Sequence, residues 1–264
     1  MTDAGADSKP VILRERRDQV EILTLNRPEA RNAVNGEVAK QMTAALDDLD
    51  KDEDLRVIVL TGAGDKAFCA GMDLKAFGAG SGGSIGGGTG GFAGFARREI
   101  PVPVIAAVNG PALAGGFELV LACDLVVAAE HAVFGIPEVK RGLLAAGGGL
   151  VRLPKRLPMA TALELALTGD PITATRAHEL GLVNLVVPAE RVLDEALALA
   201  GRINENAPLS VRYSRQVTRQ AAEVSEEEAW KLSDEATAVV FASADSREGP
   251  LAFAEKRAPN WQGR

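Results

Sequence analysis

Two hydrophobic rhythms alternate along the first part of the chain. Val20–Leu25, Val57–Thr61, Pro103–Val108 and Leu125–Ala128 are short apolar runs rich in β-branched residues, and each predicts a strand. Asn26-Arg27-Pro28 ends the first, because the residue before a proline is held in an extended conformation. Val57–Thr61 carries no alternation of polar positions, as expected of a strand covered on both faces. Between these runs the apolar residues spread out. Val38, Met42, Ala45, Leu46 and Leu49 share one face at a 3.6-residue period, behind Asn35 as a helix cap. A second helix is predicted from about Gly115 to Cys123. Strands separated by helices imply parallel βαβ units, hence an α/β fold.

From Lys155 onward the pattern is mostly helical. Thr173 starts a short helix that Gly181 stops, and Arg191–Asn204 places Leu193, Leu197, Ala200 and Ile203 on one face. Ser225-Glu-Glu-Glu228 is a capping box that opens a helix running towards Phe241. The organisation expected is a disordered arm over residues 1–10, an α/β core over 11–200 and a helical C-terminal region over 201–264. Inside the core, residues 78–94 are mostly Gly with Ser, Thr and Ala, too poor in side chains to pack. They predict a flexible surface loop, or a lid over a site. A phosphate-loop reading fails, since no strand leads into the run and no Lys-Ser/Thr pair follows it.

Composition narrows the classes. With 264 residues and 47% hydrophobic content the chain can build one large core, so wholesale disorder is excluded. The net charge of −7, without a basic stripe, argues against nucleic acid and anionic membranes as partners. Two cysteines, Cys69 and Cys123, suggest free thiols in a reducing compartment. No apolar run reaches spanning length, and the polar, acidic start lacks the regions of a signal peptide, so the expectation is a cytoplasmic protein. His131 and His178 lack metal-ligand spacing, and no metal is expected.

Candidate chemistry gathers in three places. Phe68-Cys-Ala-Gly-Met-Asp-Leu74 follows a buried strand and a glycine-containing loop, where small residues let a ligand reach main-chain N–H groups. Asn109 to Glu118 is a turn running into a helix, whose unpaired N–H groups and positive dipole end suit a developing oxyanion. Glu118 and Glu138 flank a strand-like run and could converge on one substrate carbon, as proton transfer beside a carbonyl requires. Taken singly, each segment also reads as ordinary turn chemistry.

Taken together they resemble the crotonase, or enoyl-CoA hydratase/isomerase, superfamily. The resemblance is carried in order by Leu25-Asn-Arg-Pro28 with Asn32-Ala33, Ala67–Leu74, Val104–Gly110, Gly115–Glu118 with Cys123-Asp124, Pro137-Glu138, Leu167–Asp170 and Ala252–Arg257. It implies a spiral of ββα units, a helical C-terminal region that makes a homotrimer or dimer of trimers, and an acyl-CoA substrate with no further cofactor. By position it implies oxyanion N–H groups at Met72 and Gly115 and two acid/base carboxylates, Glu118 and Glu138. Ala70, Asp73 and Leu74 would fall at the substrate, as would Ala146, whose N–H would contact the reacting water. Phe253 and Lys256 would touch the CoA adenine and phosphates, often from a neighbouring subunit. Having both acids favours a hydratase; an enoyl-CoA isomerase, a carnitinyl-CoA-type dehydratase or a non-catalytic acyl-CoA binder are the alternatives. The chain departs from the hydratase pattern at Ala145-Ala146 and at Met72, which bears on the acyl pocket.

Overall fold

The computed structural model describes residues 10–78 and 88–264. The expected N-terminal arm, apart from Pro10, and residues 79–87 of the glycine-rich run lie outside the described residues.

A six-stranded sheet forms the centre, in the order β1 (Ile12–Arg17), β2 (Val20–Leu25), β3 (Val57–Gly62), β4 (Val104–Val108), β6 (Leu125–Ala129), β9 (Leu185–Val187). β1 pairs antiparallel with β2, and every other pairing is parallel. β3 and β4 are buried at every residue, which explains their unbroken apolar sequence. β1 escapes the hydrophobic pattern because five of its six residues are exposed. It is held instead by its ladder with β2 and by Arg14 and Arg16, which pair with the buried Glu21. A smaller sheet, β5 (Ala112–Leu113), β7 (Val133–Gly135) and β8 (Ile172–Thr173), lies beyond the ends of the central strands in sequence.

Helices α1 (Gly36–Leu49), α2 (Leu74–Ala76, a single turn) and α3 (Gly115–Ala122) follow the strands as the α/β alternation requires. Asn35 caps α1 through its side chain, which accepts from the Val38 N–H, and the face of Val38, Met42, Ala45, Leu46 and Leu49 is buried. α4 (Gly149–Arg156), α5 (Met159–Thr168), α6 (Ala174–Glu179) and α7 (Val192–Asn204) complete the body. α7 packs on β3, β4 and β6 and buries Val192, Ala196 and Ala200. The domain boundary expected at residue 200 therefore falls inside a core helix. The helices that follow are α8 (Pro208–Ala221), α9 (Glu226–Ala242, with the Ser225 capping box formed) and α10 (Asp245–Glu255). α8 and α9 pack on each other yet bury none of their own residues in the single chain.

The end of the glycine-rich run departs from the expected featureless loop. Gly88–Gly90 and Phe92–Gly94 form two 3-10 turns, the second packed against α1 with Ala93 and Gly94 buried.

Candidate active site

The site begins with a scaffold built from residues of the first two motifs. Asn32, buried and at φ 55°, accepts from the Arg27 N–H through Oδ1 and donates through Nδ2 to the carbonyls of Ala63 and Ala67. This ties the end of β2 to the loop after β3. Arg27 donates to the Ala33 carbonyl and, at 3.0 Å from each of two nitrogens, to Asp73. Asp73 in turn accepts from the Lys75 and Ala76 N–H groups as the cap of α2. Burial works against its ionisation, but those N–H groups and Arg27 together hold its carboxyl below the usual range. Asp73 is not among the residues that line the cavity described below. Both of its oxygens are engaged in clamping the loop, Oδ2 by Arg27 and Oδ1 by the Lys75 and Ala76 N–H groups.

That loop sets the first donor. Val34 and Met72 form a parallel bridge in which the Val34 N–H donates to the Gly71 carbonyl and the Asp73 N–H donates to the Val34 carbonyl, each at 2.8 Å. The Met72 N–H is left pointing the other way, with no partner among the described residues. The second donor is Gly115, first residue of α3, whose N–H is likewise unpartnered there. The preceding Ala114 is held at φ 51°, ψ −130°, a conformation costing on the order of 1–3 kcal/mol in a non-glycine residue. The Leu113 N–H, donating to the Cys69 carbonyl at 3.0 Å, brings the two segments side by side. A Cβ on Gly71 would lie 2.9 Å from the Gly115 nitrogen, so glycine is required for the approach as well as for its φ of +90°.

Both donors border a cavity of about 470 Å³ that also holds the two carboxylates. Glu118, on α3, is 3% exposed, so protein groups replace its water. The Gly149 N–H donates to Oε1 at 2.8 Å, and a Cβ on Gly147 would lie 2.4 Å from Oε2. Burial raises the Glu118 pKa; N–H groups of Gly149, Gly147 and Gly148 and the charge of Arg152 pull against it. The expectation for this turn was a single N–H, that of Ala146, aimed at water. Ala146 does line the cavity, and the glycines after it hold the carboxylate itself.

Glu138 sits in the 3-10 turn Pro137–Arg141. Its Oε2 is buried without a hydrogen-bond partner among the described residues. Burial, with the charge of Glu118 added, outweighs its own N–H and Arg141 and pushes it up to about 7. The cavity thus pairs two carboxyl groups, one gripped by the N–H groups of a glycine turn and one with a buried oxygen that has no partner among the described residues. Such a pair can give and take protons at neutral pH while the two free N–H groups stabilise an oxyanion.

Of the residues named from sequence, Ala70, Met72, Leu74, Gly115, Glu118, Glu138 and Ala146 line this one cavity. Phe253 and Lys256 do not; Phe253 is 87% exposed at the far end of the chain. Sequence reasoning passed over Phe92, Arg31, Arg141, Leu143 and Leu144, which complete the wall. For Phe92 the signal was available: it is the one aromatic residue within the glycine-rich run 78–94. It fills the space that side chains on Gly115 and Gly147 would need.

Two unpartnered N–H groups and two carboxyl groups bordering one cavity, on a mostly parallel sheet with a helical tail, are the equipment of a protein that could move protons beside a carbonyl. The chain belongs to the enoyl-CoA hydratase/isomerase family, whose model matches residues 15–264. It is 46% identical over 266 residues to Enoyl-CoA hydratase EchA19 of Mycobacterium tuberculosis, covering 99% of this chain and all of that one. It is 42% identical to Carnitinyl-CoA dehydratase of Proteus mirabilis, covering 97% of this chain and all of the relative. A crystal structure of enoyl-CoA hydratase from Mycobacterium tuberculosis superimposes with a TM-score of 0.93 at 50% identity, over 97% of this chain and all of that one.

Proposed function

We propose that the protein is an enoyl-CoA hydratase, adding water reversibly across the C2=C3 bond of a 2-enoyl-CoA thioester. The observation that carries this reading is the unequal carboxylate pair opposite two free N–H groups in one cavity. The thioester oxygen sits between the Met72 and Gly115 N–H groups. Water held between the carboxylates attacks C3 and loses its proton to Glu118. The negative charge that builds on the thioester oxygen is stabilised by about 2.7–4 kcal/mol per donor. Glu138, protonated beforehand, delivers its proton to C2, and transfer of a proton from Glu118 to Glu138 resets the pair. Coenzyme A is part of the substrate, and the chemistry needs no metal or redox group.

Leu74, Leu143 and Leu144 suit an apolar acyl chain. A second reading, dehydration of a carnitinyl thioester, is favoured by relatives of that name. Arg31 and Arg141 on the cavity wall disfavour a quaternary ammonium group. We further assign the working form as a homotrimer or dimer of trimers, in which Phe253 and Lys256 reach a neighbour's CoA. The cytoplasm is the assigned compartment, in keeping with two buried free thiols.

A panel of enoyl-CoA chain lengths, followed by loss of the conjugated absorbance, tests the reading. Activity is expected with at least one chain length, and Glu138→Gln should lower kcat by about 10²–10⁴. An intact protein that binds acyl-CoA but hydrates no enoyl thioester would overturn it. Formation of the conjugated absorbance from carnitinyl-CoA alone would select the second reading.

A further inference from the structure

Behind the turn that grips Glu118 stands a half-buried arginine with no counter-ion. Arg152 is the fourth residue of α4, and its side chain folds back over the cap residue Gly148. A Cβ on Gly148 would lie 2.2 Å from its Nη1, so the guanidinium occupies the place of that missing side chain. Its Nη2 donates to the Ala96 carbonyl at 2.5 Å. Among the described residues no carboxylate comes within ion-pair distance of it, whereas Arg215 and Arg219 share Asp124 and Lys155 has Glu223.

The surroundings sharpen this. On the side away from Glu118, Arg152 lines a small cavity of about 80 Å³ together with Arg98, Arg215, Arg219 and Glu99. Burial, and after it the charges of Arg219 and Arg97, oppose its charge; the Glu118 carboxylate favours it. The turn Gly147–Gly149 therefore has a cation on its back and a carboxylate on its front. The Gly149 N–H bonds the carboxylate, and the Gly148 carbonyl receives the Arg152 N–H at 2.9 Å. An isolated half-buried cation is costly, and it is kept most readily where a charge across a thin backbone layer answers it.

We propose that Arg152 is a positioning residue for Glu118: through the Gly147–Gly149 turn it fixes the carboxylate and keeps it ionised, so that the shared proton resides on Glu138. This rests on the hydratase reading for its catalytic consequence, while the electrostatic claim stands on the geometry. The groups facing Glu118 are then Glu138 across the cavity, the three N–H groups of the turn, and Arg152 behind it.

The test is a titration that does not depend on turnover. In protein labelled with ¹³C at the glutamate carboxyl carbons, the Glu118 resonance is identified by its loss in Glu118→Gln. In Arg152→Gln, and in Arg152→Met, which retains the aliphatic stem, its midpoint should rise by about one pH unit. Arg152→Lys should keep most of the wild-type value. The acid limb of kcat/KM should move upward with the midpoint, and Arg152→Gln added to Glu118→Gln should leave the pH profile of that variant unchanged. A midpoint that stays in place in folded Arg152→Gln or Arg152→Met overturns the proposal, as does an equal loss of activity at all pH values. If the wild type turns over no acyl-CoA thioester, the hydratase reading falls and the titration still decides the role of Arg152.

Discussion

Glu138 combines a buried oxygen that has no partner with a proton held up to about pH 7. Its ordinary value is 4.5, so between about pH 4.5 and 7 the folded chain keeps a proton that the unfolded chain has lost. Stability must then fall as pH rises through that window, because the folded state binds the extra proton. Glu138→Gln removes the titration. It should raise the melting temperature relative to wild type at pH 8 and leave it unchanged near pH 4, even as activity collapses. Thermal melts of both proteins at the two pH values check this. Glu118, equally a carboxylate, differs because its turn supplies the N–H groups that water would have given. The resemblance to the family placed both acids, but the physical difference between them was not legible in the sequence, since nothing in Glu138 itself reveals a vacant oxygen.

At the level of elements, the site is a meeting of two loops, and Gly71 is where they touch. Gly71→Val would press a side chain on the Gly115 nitrogen and force φ +90° on a branched residue. It should lower kcat/KM by about 10²–10³, as loss of an oxyanion donor does, with a weaker effect on acyl-CoA affinity measured calorimetrically. The elements that form through their own sequence were legible: α1 behind Asn35, β3 and β4 as apolar runs, α9 behind Ser225. Those that exist only because a neighbour completes them were not. β1 is charged and exposed, and β5 and β8 are two residues long. The site divides in the same way. Motif matching brought Met72, Gly115 and Ala146 to the cavity, but it also drew in Asp73, since a motif keeps its clamps and its contacts in one string. Phe92 and Arg152 act across more than 20 residues of intervening chain, through glycines that leave room for them.

For the whole molecule, no helix among the described residues is long and apolar enough to cross a membrane. Apolar side chains nevertheless stand exposed on α5, with Met159, Leu163 and Leu167, and in the tail, with Trp230, Phe241, Leu251 and Phe253. Patches of this kind ask for a protein partner. Sedimentation should find the chain as a multiple of its 27.6 kDa mass. α8 and α9, which bury none of their own residues, then acquire a further meaning. In the assembly proposed above, much of the free energy holding the tail would belong to no single copy and would enter through mass action. The melting temperature should climb with protein concentration, and specific activity should decay on dilution below the assembly constant and return on reconcentration. Expression level would thus set how much of the enzyme is folded as well as how much is made.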